Sequence, residues 1–296
     1  MKFTRLLCLV ITMSAGLILW SCGGSSENKD DNAKDFENAE ESLKDQIQDV
    51  VYNIPSPSEI PYLLEATGAE FNQSLINDRK KAESYATKSD KAALNLGVYA
   101  ADIGYLSSYG KTQEAIDYLN TTKGLADGLG VVGSFDVEVL KQFESNISNK
   151  DSLAAVLNRM VQKTDSYLKD DSRNKLAALM VTGSFVEGLY ISTGLIKSYP
   201  KNLLADDQRN LVLTPLMRVI LQQSESVGEL LKMLNTVEEN ETITSIKADL
   251  TQLEASYRAL NIEEQIKNNK ANLVLSDKNL IDITNIVEKL RKSITD

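Results

Sequence analysis

Histidine is missing from all 296 residues of the chain. With it go the commonest general base, the Ser-His and Cys-His nucleophile pairs and every histidine-containing zinc or iron site, so catalysis would have to run on carboxylates, lysine or tyrosine. Cysteine is nearly missing too. Cys8 lies in an N-terminal leader and Cys22 is the only other one, which leaves no partner for an intrachain disulfide once the leader is removed. Positive charge is in short supply: 32 basic residues face 42 acidic ones for a formal net charge of −10, and two of the basic residues, Lys2 and Arg5, belong to the leader. Such a surface repels nucleic acid and acidic lipid headgroups. No phosphate loop, dinucleotide fingerprint or Gly-x-Ser-x-Gly elbow occurs, and Asp206-Asp207 lacks the Asp-x-Asp-x-Asp-Gly pattern of a calcium loop. Strand-like alternation is scarce as well, Leu273 to Leu275 being the one short candidate. These absences lead to an expectation of no cofactor, no metal, no catalytic residue and no enzyme activity.

What is present is helical periodicity. Leu176 to Ile196, LAALMVTGSFVEGLYISTGLI, carries a single charged residue, Glu187. As a helix it would be ~31 Å long at ~1.5 Å per residue, enough to cross a small domain or a bilayer. Its three glycines, four hydroxyl residues and mid-run carboxylate dilute it too far for a lipid-facing span, so it reads as a core helix walled by other helices. Segments 58–87, 89–109, 112–128, 134–146 and 151–169 read as further helices, the second capped by Ser89 or Asp90 and ended by Gly110. A long segment, 206–235, contains Pro215, which should kink or restart it.

The central helix has a match upstream. Ala92-Ala93-Leu94 pairs with Ala177-Ala178-Leu179, Asp102 with Glu187, and Tyr105-Leu106-Ser107 with Tyr190-Ile191-Ser192, at a constant offset of 85 residues. Each match is the middle of three expected helices, which predicts a duplicated three-helix unit over 54–235 whose central helices pack together. Beyond it, Ile243, Ile246, Leu250, Leu253, Tyr257 and Leu260 follow three-four spacing, as do Leu280, Ile283, Val287, Leu290 and Ile294. These narrow seams suit an antiparallel helical hairpin over 236–296. The expected fold is therefore an all-α helical bundle from a duplicated three-helix unit with apolar central helices, plus a C-terminal helical hairpin.

At the other end, residues 1–21 combine a basic start, an apolar run from Leu6 to Trp20 and the sequence Leu19-Trp20-Ser21-Cys22-Gly23-Gly24. This resembles a bacterial lipoprotein signal peptide, with Trp20 standing where that family usually has a small residue. The resemblance implies cleavage before Cys22, lipidation of Cys22, and anchoring to a bilayer through its acyl chains. Each buried CH₂ contributes ~0.8 kcal/mol, so several chains hold where one does not. Residues 22–35 are Gly, Ser, Asn, Asp and Lys with almost nothing apolar, an acidic flexible tether. Residues 36–53 read as an amphipathic helix by the spacing of Phe36, Ala39, Leu43, Ile47 and Val50, ended at Asn53-Ile54-Pro55. The segment Gly97-Val98-Tyr99-Ala100-Ala101-Asp102, with Tyr105, Gln113, Tyr118 and Glu187-Gly188-Leu189-Tyr190, resembles all-helical lipoproteins of Bacteroidetes type. That likeness implies an outer-membrane, cell-envelope location, on the periplasmic or the surface face, and brings no activity with it.

Asp102 and Glu187 are the only charges in the most apolar parts of their helices, and each has a tyrosine three residues on, on the same face. A buried ionised carboxylate standing alone costs several kcal/mol, so each must meet a cation, a hydroxyl or water, or stay protonated. Two readings follow. Asp102, Tyr105, Glu187 and Tyr190 could line a polar pocket between the central helices for a small ligand, or the two acids could tie helices together. For the second, Arg218 is the natural cation, being the only charge in LVLTPLMRVIL, and a Glu187–Arg218 ion pair is expected. The glycines at 183, 188 and 194 fit close helix contact. The sequence thus suggests a lipid-anchored, non-catalytic envelope protein that binds a partner protein or ligand outside the cytoplasm, with a small-ligand-binding lipoprotein as the alternative.

Overall fold

Two apolar helices touch backbone to backbone at the centre of the molecule, and glycine is what lets them do so. The computed structural model describes residues 70–131, 145, 171–199, 206–260 and 278–296, with the backbone alone at 171–173, 206–219, 222 and 278–280. Within these the helices are α1 (Ala82–Tyr85), α2 (Ser89–Ser108), α3 (Thr112–Gly128), α4 (Asp171–Ser198), α5 (Asp206–Asn235), α6 (Glu241–Ala259) and α7 (Lys278–Thr295). No strand occurs among the described residues. The leader, the tether and the segments expected as helices at 36–53 and 151–169 lie outside them. So does all of 134–146 but Ser145, so the three-plus-three arrangement cannot be traced through its second half.

The central pair is α2 and α4. A methyl group at Gly97 would lie 2.0 Å from the Met180 carbonyl oxygen, and one at Gly183 would lie 1.9 Å from that of Leu94. Only hydrogen fits at either place. Contacts at three levels show that the two helices run parallel. Asp90 meets Lys175 at 3.2 Å near their starts, Gly97 meets Met180 to Ser184 midway, and Asp102 meets Glu187 further along. The offset of the sequence match is therefore also the register of the packed pair. Gly194 has a different neighbour, the flexible Leu75 side chain, and Gly188 has nothing within 4 Å of its missing methyl. Close contact is thus the role of Gly183 with Gly97, and not of Gly188.

Both helices are apolar all round because both are walled on two sides. Ala93, Leu94 and Val98 face one core with Ala178, Leu179, Phe185 and Val186, completed by Val227, Leu230 and Met233 of α5, Ile246, Leu250 and Leu253 of α6, and Ile283, Val287, Leu290 and Ile294 of α7. Leu96, Tyr99, Ile103 and Leu106 face a second core with Leu75, Ile76, Tyr85, Tyr118, Leu119 and the α4 residues Ile191 and Leu195. By length and composition Asn174–Ser198 would pass as a membrane span, yet 61% of its most apolar window is buried against protein. The seam residues expected at 243, 246, 250, 253, 257, 260, 283, 287, 290 and 294 are buried, and the side chain of Leu280, the remaining one, lies outside the described residues. The C-terminal helices share the first core with the central pair rather than packing only on each other.

Helix ends follow local chemistry. Gly110 and Gly130 take positive φ, 66° and 71°, and each closes a Schellman turn: Lys111 N donates to Leu106 O and Val131 N to Ala126 O, both at 2.9 Å. Asn240 caps α6 by accepting from Ile243 N at 3.0 Å. The start of α2 differs from expectation, since Lys88 occupies the cap position and no side chain caps it. Asp90 instead binds Lys175 and accepts from the Asn240 amide, while its charge sits in the first turn, where it complements the helix dipole. α5 continues unbroken past Pro215 instead of restarting there. Nor does one helix fill the described part of 58–87: residues 73–75 and 79–81 are single 3₁₀ turns with an extended link between them. The reason is local competition. Asn72 accepts from Ser74 N and Asp78 from Lys80 N, Asx turns that redirect a chain with helical composition.

Two outcomes are expected. Gly97→Ala and Gly183→Ala should each destabilise by ~1–3 kcal/mol or more through forced backbone separation, whereas Gly188→Ala should be neutral or stabilise by up to ~1 kcal/mol; chemical denaturation of the three variants separates them. Removing residues 278–296 takes Ile283, Ile286, Val287, Leu290 and Ile294 out of the core. At ~1.5–3 kcal/mol for each buried side chain this rivals a whole domain's stability, so the shortened chain should lose its cooperative melt.

Candidate functional site

The residues that sequence reasoning singled out at 102 and 187 come together because α2 and α4 are parallel and in register. Asp102 and Glu187 are both fully buried. Glu187 is held from the far end of the chain: Arg291 of α7 donates Nε to Oε2 and Nη2 to Oε1, both at 3.0 Å. This is the side-on, two-bond geometry that suits guanidinium and carboxylate planes. The Arg291 guanidinium also lies over the Tyr190 ring, 4.6 Å from its centroid, a cation–π contact in a partly desolvated place. α7 runs antiparallel to α4 here, since Lys197 further along α4 meets the earlier Glu288 at 2.8 Å.

Among the described residues Asp102 has no cation of its own. Its Oδ2 accepts from Asn77 N at 3.1 Å, while Oδ1 is buried with no donor in reach. Protonation resolves this, because a carboxylic acid can donate to Glu187, which stands beside it. Burial raises the Asp102 carboxyl well above the ordinary carboxylate range, and the neighbouring charge of Glu187 raises it further. Burial also raises Glu187, with Arg291 pulling the other way. For Arg291 burial opposes the charge, but the Glu187 carboxylate outweighs it and keeps the guanidinium charged. One proton on the two carboxyls beside one guanidinium would leave the group neutral overall. That is the condition for keeping it in a dry interior.

Around this centre the chain satisfies itself. Asn77 is clamped by its backbone N–H on Asp102 and by its carbonyl, which accepts from the Tyr118 hydroxyl at 2.7 Å. Its side-chain amide reaches Tyr85 and Asn95. Tyr105, the partner expected beside Asp102, turns elsewhere: its hydroxyl accepts from Asn72 N at 2.9 Å and its ring stacks on Phe71. Tyr99 donates to Asp78 O at 2.9 Å. Three tyrosines and Asp102 thus hold the backbone of residues 72–78 across the second core, and Tyr85 holds the Asn77 side chain. The last carbonyls of α7 are bound in the same way: Asn95 Nδ2 donates to Ile294 O at 2.9 Å, Tyr85 to Thr295 O at 2.8 Å, and Lys81 and Lys91 to the carbonyls of Thr295 and Asp296. Two lysines at a helix C-terminus also suit its dipole.

Of the four residues expected to line a pocket, Asp102, Tyr105 and Glu187 have no exposed surface. Tyr190 alone reaches outward, lining a surface recess of about 390 Å³ with Glu288, Arg291, Lys292, Thr295 and Asp296. The cation described beside Glu187 is Arg291; the expected Arg218 has its side chain outside the described residues. Arg291 carried no local signal, since it stands among Glu288, Lys289 and Lys292 on an amphipathic helix. Asn95 did carry one, as the lone amide in the apolar middle of α2, and Asn77 carried none. No group of acids and cysteines arranged to hold a metal is found among the described residues. Comparison with family models, curated proteins and solved structures finds no match to this chain.

The arrangement can do one thing directly: tie α2, α4, α7 and the 72–78 segment into a single unit. Glu187→Ala or Arg291→Ala should each cost ~3–5 kcal/mol by stranding a buried charge, and Glu187→Leu with Arg291→Leu should recover most of that loss. Thermal melts of the two single variants and the double variant test the coupling; additive losses would show that the two side chains act independently.

Proposed function

We propose that this is a lipid-anchored protein of the bacterial cell envelope, carried on an acidic tether from lipidated Cys22, whose helical body binds a partner outside the cytoplasm without catalysing a reaction. The anchor rests on the Leu19-Trp20-Ser21-Cys22 sequence behind a basic, apolar leader. The likeness of the Gly97–Asp102 and Glu187–Tyr190 segments to helical lipoproteins of Bacteroidetes type supports the same location. One structural observation favours binding over catalysis: the most concentrated chemistry in the described core, Asp102 with Glu187 and Arg291, is spent on the chain's own groups. A catalytic carboxylate must reach a substrate, and these two have no exposed surface.

A protein partner fits this body better than a small ligand held between the central helices, because their crossing is closed by backbone contact at Gly97 and Gly183. A small ligand, the second reading, would have to use the recess beside Tyr190 and Arg291. Cys22→Ser should abolish incorporation of a labelled fatty acid and release the chain from the membrane fraction. Label retained by that variant would overturn the anchor. Crosslinking in intact cells followed by mass spectrometry of the captured proteins tests the partner.

A further inference from the structure

The arginine that meets Glu187 has a second edge, and the protein leaves that edge unused. A guanidinium carries its N–H donors in one rigid plane. Arg291 spends Nε and one N–H of Nη2 on Glu187. What remains is the end of the fork, formed by Nη1 and the other N–H of Nη2, which has the geometry to take another carboxylate. Nη1 makes no hydrogen bond with any described residue, yet it is not among the buried polar atoms that lack one. It therefore meets solvent, in the recess of about 390 Å³ that Arg291 lines with Tyr190, Glu288, Lys292, Thr295 and Asp296. The Tyr190 ring lies against one face of the guanidinium, 4.6 Å from centroid to carbon, and leaves the edge open.

Charge in the recess is uneven although both signs line it. Glu288 is answered from outside by Lys197 at 2.8 Å, and Asp296 by Lys81 at 3.2 Å, with Lys91 on its main-chain oxygen. Arg291 and Glu187 answer each other. Lys292 is left over: it is exposed and has no acid or acceptor among the described residues. On a chain with a net charge of −10, this recess thus holds a cation without a counter-charge next to guanidinium donors without an acceptor.

We infer that the recess at the end of α7 binds a small carboxylic acid, with its carboxylate on the free edge of Arg291 and beside the Lys292 ammonium. This rests on the second reading above, in which a small ligand uses the recess, and needs neither the anchor nor a protein partner. Glu187 and Tyr190 hold the guanidinium in place before any ligand arrives, so binding costs little side-chain freedom. The ligand's carboxylate takes one edge of the fork while Glu187 keeps the other, and no contact of the fold is given up. A singly charged acid fits better than a phosphate dianion, because Glu288 and Asp296 stand on the same rim and repel further negative charge. The volume suits a small molecule. A recess open to water on one side holds it only modestly, in the millimolar range.

Titration of the full-length protein with sodium acetate, at an ionic strength held constant with sodium chloride, tests this. The readout is the set of guanidinium nitrogen signals of Arg291 in an NMR spectrum of arginine-labelled protein, recognised by the ring-current shift from Tyr190. Acetate should move them saturably. Inorganic phosphate should bind more weakly than acetate, and methylammonium should not bind. Lys292→Gln alters an exposed side chain, leaves the Glu187 pair in place and should keep the parent's melting temperature while weakening acetate several-fold. Glu288→Gln removes a negative charge from the rim and should strengthen it. Acetate shifts that never saturate, or equal affinity in Lys292→Gln and the parent, overturn the inference. Phosphate binding tighter than acetate overturns the choice of a carboxylate. If methylammonium moves the Arg291 signals and acetate does not, the recess takes a ligand but not an acid; if neither moves them, the small-ligand reading falls as well.

Discussion

Everything at the centre follows from the contact of α2 and α4 at Gly97 and Gly183. Helix axes ordinarily stand 8–10 Å apart, held off by side chains. Here each glycine leaves room for the other helix's carbonyl, so the helices meet through their backbones. Approach at that distance excludes water along the seam. Because the helices run parallel in register, it also brings Asp102 and Glu187 to the same level. Two acids in one dry place are not stable as two anions. The structure answers with a guanidinium on Glu187, while burial and the neighbouring carboxylate push Asp102 toward its protonated form.

The guanidinium comes from 104 residues away, which makes the C-terminal helix part of the core rather than an appendage. Burial of Ile283, Val287, Leu290 and Ile294 supplies the energy of docking, and Arg291 sets its register along α4. A slip of one turn would withdraw the guanidinium from Glu187 and leave an uncompensated buried charge, a penalty of several kcal/mol. Apolar seams are tolerant of sliding; a buried charge pair is not. The same division of labour holds for residues 72–78, where Leu75 and Ile76 provide apolar burial and Asn77 fixes position through Asp102, Tyr118 and Tyr85.

Much of this architecture is legible in the residue pattern. The all-helical class, the core character of 176–196, the seams of α6 and α7 and the glycine stop at 110 follow from periodicity and backbone preference, which act locally. Asp102 and Glu187 are conspicuous because a charge in an apolar run must be explained. Arg291 is not conspicuous, since an arginine on the polar side of an amphipathic helix is the commonest of observations. Its burial arises from which helix it lands against, information that no window of sequence contains. The turns at 72–78 fail to show for the opposite reason: Asn72 and Asp78 act over two residues, below the period by which helices are read. Gly188 misleads because spacing places a glycine on a helix but does not say which side another helix will take.

The pair Tyr105 and Tyr190 shows how far a repeated pattern constrains chemistry. Each follows its acid by three residues, and packing in register puts them at matching levels of parallel helices. Their surroundings nonetheless differ. Tyr105 faces the second core, stacks on Phe71 and fixes the backbone of Asn72; Tyr190 turns toward α7 and lies under Arg291 at the edge of the recess. Two parallel helices in contact expose different flanks to their neighbours. Similar residues at similar levels therefore meet different third elements. The acids share one fate because they lie at the contact between the helices, while the tyrosines diverge because they lie beside it. A sequence match of this kind conveys the level at which a side chain stands, and the neighbouring helix decides what the side chain does there.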